Sequence, residues 1–148
     1  MTEEQAVAFT KEICRMYFEE RNHDKLMDYI SKDIVWIGVR GKKGFNTFGN
    51  LQEYLRIGKE VYSGSVHLDN QECRVLEITK DLTCVLACMD VYTPPEEGPV
   101  FTEHIHITII YRREGSEWKI LHVHNSFADG IYGETTTAAD SRHWRDFM

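Results

Sequence analysis

From Ser65 to Phe127 the chain keeps one period, and that period is two. Four successive segments, SVHLDNQECRVLEI, LTCVLACMDVY, VFTEHIHITIIYRR and EWKILHVHNSF, are rich in β-branched and aromatic residues and read as strands. The links TKD, TPPEEGP and EGS are too short for crossover helices, so neighbours along the chain are expected to pair antiparallel. A sheet formed this way must bury one face, and something else in the chain has to cover it.

The first 64 residues supply that cover. TEEQAVAFTKEICRMYFEERN opens with Thr2 and Gln5 in capping-box spacing, and Ala6, Phe9, Ile13, Met16 and Tyr17 recur at helical spacing. HDKLMDYISKD reads as a short second helix burying Leu26, Met27, Tyr29 and Ile30. DIVWIGV reads as a strand, GKKGFNTFGN as a loop, and NLQEYLRIGKEVYSG as a third helix with Asn50 as its N-cap and Glu53 three residues on. Helices segregated from an antiparallel sheet define an α+β domain. The expected form is a cone: a strongly curved, mostly antiparallel sheet wrapped around three helices of the N-terminal half, with a mouth able to admit a ligand. The expected domain spans residues 1–128. Residues 129–148 lack periodicity and are assigned to a C-terminal tail.

A chain of 148 residues suits one domain with one core. The net charge of −7 excludes a basic nucleic-acid footprint, and no apolar run reaches the length of a membrane span. MTEEQAVAF is acidic and helical in character rather than signal-like, so the cytoplasm is the expected compartment. Cys14, Cys73, Cys84 and Cys88 form no Cys-x-x-Cys pair and read as small apolar residues in a reducing compartment.

YFEERNHDKLMDYISKDIVWIG resembles the opening of SnoaL-like proteins of the nuclear transport factor 2-like superfamily, where two helices lead into a strand carrying an aromatic residue. IIYRREGSEWKILHVHNS resembles their closing hairpin, and is also similar to the end of the association domain of calcium/calmodulin-dependent kinase II. Together with the order of elements the likeness runs from about residue 5 to residue 128. It implies the cone fold. It leaves function open, because the superfamily includes isomerases, dehydratases, cyclases, oligomerising hubs and ligand sensors.

The chemistry most in view is His-x-His, present in two strands as His104/His106 and His122/His124. Alternation puts Thr102, His104, His106, Thr108 and Ile110 on one face of the first strand. It puts Trp118, Ile120, His122, His124 and Ser126 on one face of the second. The loop RREGSE permits two registers, and a one-residue slip exchanges the faces. In one register the apolar residues align and all four histidines share a side. In the other, His104 and His106 join Asn125. The kinase resemblance favours the second. It implies that Thr102, His104, His106, Thr108, Val123 and Asn125 face the cavity, with His122 and His124 outside, where such proteins often dimerise. The kinase domain's basic pocket residues are replaced here by Asn125 and Thr108, which argues against a pocket tuned for a carboxylate.

These residues have three candidate uses. Four imidazoles near Glu103 have the chemistry for zinc or iron, but no carboxylate follows at cupin spacing, so no metal and no cofactor is assigned. A cavity histidine suits proton transfer near neutrality, which makes His104, His106 and Asp90 the candidate catalytic residues of a cofactor-free isomerase, dehydratase or cyclase. The candidate ligand-binding residues are Tyr17, Tyr29, Trp36, Tyr92, Thr108, Val123 and Asn125, and the candidate interface residues are His122 and His124. Lys42 and Lys43 would attract an anion at the mouth. The leading expectation is a domain that binds a small, mostly apolar molecule and self-associates as a dimer. The enzyme is the alternative, and an oligomerisation hub is the third.

Overall fold

The computed structural model describes residues 1–38, 44–61, 64–97 and 101–127. The loop lysines Lys42 and Lys43 and the tail 129–148 lie outside the described residues. Helix α1 spans Glu3–Cys14 and runs on through a π-helical turn at Arg15–Glu19. Helix α2 is His23–Met27, strand β1 is Ile30–Ile37 and helix α3 is Phe48–Val61. Strands β2 (His67–Ile78), β3 (Leu82–Thr93), β4 (Phe101–Glu114) and β5 (Glu117–Phe127) follow, with a 3₁₀ turn at Pro95–Glu97 between β3 and β4. The expected α+β architecture is present: one curved sheet with the helices gathered on one side.

Local signals account for much of this. Thr2 accepts from the backbone of Gln5, and Gln5 reaches back to the backbone of Thr2, completing the capping box that starts α1. Strand β5 occupies the segment read as a strand, Glu117 to Phe127. Two of the boundary differences have a local cause. Helix α2 stops at Met27 rather than running to Asp33, because Ile120 donates its backbone N–H to the carbonyl of Tyr29 and draws Tyr29–Ile30 toward the sheet. Helix α3 begins at Phe48, so Asn50 lies in its first turn, where its side-chain oxygen accepts from the backbone of Thr47 at 2.7 Å.

The strand order is β1-β5-β4-β3-β2. The four later strands pair antiparallel in sequence, as their short links require, and β1 joins the edge parallel to β5. The hairpin register is the first of the two alternatives, not the one the kinase resemblance favours. Thr108 stands opposite His124, and Ile109 opposite Val123. Ile105, Ile107, Ile109, Tyr111, Ile120 and Val123 are all buried beneath the helices. Burying one such aliphatic side chain is worth roughly 1.5–3 kcal/mol, so aligning the aliphatic rows outweighs any slip that would bury imidazoles beside isoleucines.

Alternation alone misplaces Ile120 and Trp118. Strand β5 bulges between the pairs Ile110↔His122 and Tyr111↔Ile120, leaving Leu121 unopposed. Ile120 therefore turns to the core, fully buried, while His122 stays on the other side. On the helix side, Thr10 of α1 and Tyr111 of β4 share a buried hydroxyl–hydroxyl hydrogen bond of 2.8 Å. Phe9 packs on both Tyr111 and Tyr29, and the core fills the space between α1, α3 and the strands.

Candidate functional site on the inner face of the sheet

The register divides the candidate residues between two faces and two ends. On the outer face lie His104, His106, Thr108, His122 and His124, together with Asp90 and Tyr92 of β3. His104, His106 and Thr108 thus leave the cavity side on which the kinase resemblance would put them. On the inner face, against the helices, lie Trp36, Val123 and Asn125, with the ring of Tyr17 of the π-helical turn tilted against Trp36, centroids 5.5 Å apart. Tyr29 is also on the helix side but precedes β1, whereas Trp36 is near its end. At about 3.3 Å per residue the two stand roughly 20 Å apart along the strand. Tyr29 instead lines an open groove of about 610 Å³ with Phe9, Trp118 and Lys119.

The inner-face group is held firmly. Trp36 pairs with Val123 on one side. On the other it exchanges two backbone hydrogen bonds with Asn46, at 2.8 and 2.9 Å, and the Asn46 side chain is tied in turn to Asn50 of α3. Its backbone is clamped between two partners, and its buried indole is hemmed in by packing. Tyr17 extends the aromatic surface to Phe18 and to His23 at the start of α2. Burial pushes the His23 imidazolium pKa below its ordinary value, and the nearby Lys59 and Arg21 cations push the same way, so His23 is neutral at neutral pH.

Tyr54, Gly38 and His23 complete this end of the molecule, and the sequence patterns above do not single them out. A side chain at Gly38 would place its Cβ 1.8 Å from the hydroxyl oxygen of Tyr54, so the phenol lies directly over the glycine. The signal was present in α3, where Leu51, Tyr54 and Leu55 recur at helical spacing and carry a tyrosine on the buried stripe.

Two polar atoms here have no hydrogen-bond partner among the described residues. Trp36 is 2% exposed and its indole Nε1–H donates to none of them, while Asn125 is 6% exposed and its Oδ1 accepts from none. Such groups are rare, because each forfeits its hydration without return, at a cost of about 1–3 kcal/mol. The two sit on neighbouring strands, one rung apart, since Trp36 is opposite Val123 and Asn125 comes two residues later. No charged side chain is buried among the described residues.

The outer face has its own chemistry. His104 hydrogen-bonds Asp90 through Nδ1, and Asn70 donates to the other oxygen of Asp90 at 2.7 Å. His122 donates from Nδ1 to the carbonyl of Val35 at 2.8 Å, and its ring lies 6.5 Å from that of His124. No three His, Cys, Asp or Glu side chains among the described residues converge as a metal site. Cys88 stands opposite His106, but burial and the neighbouring carboxylates of Glu72 and Asp90 raise its thiol pKa. The thiol therefore stays protonated at neutral pH, which makes it a poor nucleophile.

The profile of the SnoaL-like domain matches residues 7–130. The chain belongs to the SnoaL-like family. A structure from Streptomyces avermitilis, provisionally assigned as a dehydratase of the NTF2-like family, superposes with a TM-score of 0.71 at 14% identity, covering 86% of this chain and 98% of that one. An NTF2-like protein of unknown function from Pseudomonas putida KT2440 gives 0.68 at 14% identity, covering 93% and 96%. The association domain of calcium/calmodulin-dependent kinase II from C. elegans gives 0.64 at 14% identity, covering 84% and 94%. At these identities the likeness is one of fold. No curated protein matches the chain. No helix among the described residues is long and apolar enough to cross a membrane.

Proposed function

We propose that this SnoaL-like domain binds a small, mostly apolar molecule on the inner face of its sheet, against Tyr17, Trp36, Val123 and Asn125. One observation carries the reading: the indole N–H of Trp36 and the amide oxygen of Asn125 are buried without partners among the described residues, at one end of a mostly apolar core. A bound molecule would satisfy both atoms and recover the cost of leaving them dry. The test is a small-molecule screen by thermal shift, followed by titration of each hit against Trp36→Phe. A hit bound at this face should lose roughly tenfold in affinity on loss of one hydrogen bond, about 1.4 kcal/mol. Hits that bind Trp36→Phe as tightly as the parent would refute the assignment.

Self-association belongs to the same proposal and rests on the outer face. Leu82 and Leu86 are exposed there, in line with Cys84 and beside Ile110. Sedimentation velocity should give a dimer, and Leu86→Glu should dissociate it. A monomer at micromolar concentration would remove this part of the proposal.

A cofactor-free enzyme is the second reading, favoured by the Asp90–His104 pair as an acid–base couple. The pair lies across the sheet from Trp36 and Asn125, so the two sets would not touch one molecule. His104→Ala should therefore leave inner-face binding unchanged, while any turnover that depends on His104 would place the chemistry outside.

A further inference from the structure

The inner-face site can be narrowed to a class of ligand, an inference that rests on the binding reading proposed for that face. The two unpartnered atoms have opposite polarity. Trp36 Nε1 is a donor only, and Asn125 Oδ1 is an acceptor only. A molecule that satisfies both must therefore present one acceptor and one donor toward the sheet.

Charge excludes the common alternatives. A carboxylate or phosphate offers acceptors alone, and its oxygens would meet the oxygen of Asn125 with no hydrogen between them. An ion brought to this face would also need a buried counter-charge, and none of the charged side chains among the described residues is buried. Arg21, a cation close to His23, directs its guanidinium to the carbonyls of Lys59 and Gly64, at 3.1 and 3.2 Å. A pure hydrocarbon would fill space but leave both polar atoms dry.

We infer that the inner face selects an uncharged molecule with an apolar body and a head that carries a hydrogen-bond acceptor for Trp36 and a donor for Asn125, as in an amide or a hydroxy-ketone. The surroundings suit such a body. Tyr17 and Trp36 give one aromatic wall, and Ile107 and Val123 flank Asn125 on the sheet. A site built to pair a polar head discriminates strongly against an isostere that lacks it, because its own buried groups are then left unpaired.

The experiment uses the full chain and three probes of one shape: benzamide, benzoate and toluene. The readout is the indole N–H resonance of Trp36 in a ¹⁵N correlation spectrum, identified by its loss in Trp36→Phe. Benzamide should shift this resonance in a saturable way, with benzoate and toluene each bound at least tenfold more weakly. In Asn125→Leu, whose fold is checked by the rest of the spectrum, the preference for benzamide over toluene should vanish. Benzoate binding as well as or better than benzamide would overturn the inference and leave the inner-face reading standing. So would three equal affinities, which would mean that shape alone decides. If no probe moves the Trp36 resonance, the inference and the reading fall together.

Discussion

Asp90 and His104 are hydrogen-bonded to each other across β3 and β4, on the side of the sheet turned away from the helices. Burial pushes the Asp90 carboxyl pKa up, but the hydrogen bonds from Asn70 and His104 outweigh it and hold the group below its ordinary value. A depressed carboxylate pKa contributes stability that is present above the unfolded value, near 3.9, and is lost as pH falls through the lower folded value. Denaturant midpoints measured from pH 5 down to pH 2 should therefore fall less steeply for Asp90→Asn than for the parent. Equal slopes would mean that the pairing does not survive in solution.

His67 presents the opposite sign. Its Nε2 lies 2.6 Å from a carboxylate oxygen of Glu97, and that contact raises the imidazolium pKa. The associated stability is fully present below the unfolded value, near 6.5, and is lost as pH rises through the higher folded value. Both groups face solvent, so the effect on stability is small, and the direct measurement is a proton NMR titration of His67. Its midpoint should lie above that of the same residue in Glu97→Gln. Coincident curves would remove the ion pair from the account.

The hydroxyl pair Thr10–Tyr111 is fully buried and joins α1 to the middle of the sheet. Tyr111→Phe should cost about 1–2 kcal/mol in chemical denaturation, because the Thr10 hydroxyl loses its partner in a dry site. Adding Thr10→Val should cost less than the sum of the two single changes, since the orphan is removed with its mate. Strict additivity would show that the two hydroxyls do not interact.

Gly38 lies under the phenol of Tyr54, so any larger residue must displace that ring. Alanine there would drive its methyl group into the phenol of Tyr54, and overpacking of this kind costs about 1–3 kcal/mol. Gly38→Ala should lower the melting temperature, and Gly38→Ala with Tyr54→Leu should recover part of the loss. A double variant no better than the single one would mean that the glycine is needed for some other reason.

How much of this was legible in the sequence depends on the range of the interaction. The capping box at Thr2 and the bounds of β5 rest on neighbours within a few residues, and both are readable as written. The alternating faces of β4 are equally plain. What joins them is not. The register of β4 against β5 was open to a one-residue choice, and the kinase resemblance pointed to the wrong one. The bulge at Leu121 also breaks the strict alternation that puts Ile120 and Trp118 with His122. For the same reason the candidate site was half visible. Tyr17, Trp36, Val123 and Asn125 share the inner face. His104, His106, Thr108 and Tyr92 do not, because their side is set by the register and not by their own strand. Tyr54 and Gly38 needed α3 laid over β1, which no local pattern describes.

The parallel pairing of β1 with β5 has a consequence for how the chain acquires its shape. Ile30 lies opposite Ile120 and Trp36 opposite Val123, so the earliest strand docks only against the last. During synthesis β2, β3 and β4 can zip together in order, each hairpin closing a short loop, while β1 has only its backbone bridge to Asn46 and no strand beside it. The sheet edge at Trp36 is thus the final seam to close, and Trp36 and Asn125 become neighbours only with it. A nascent chain halted before β5 should leave β1 open to proteases that spare the same strand in the finished domain.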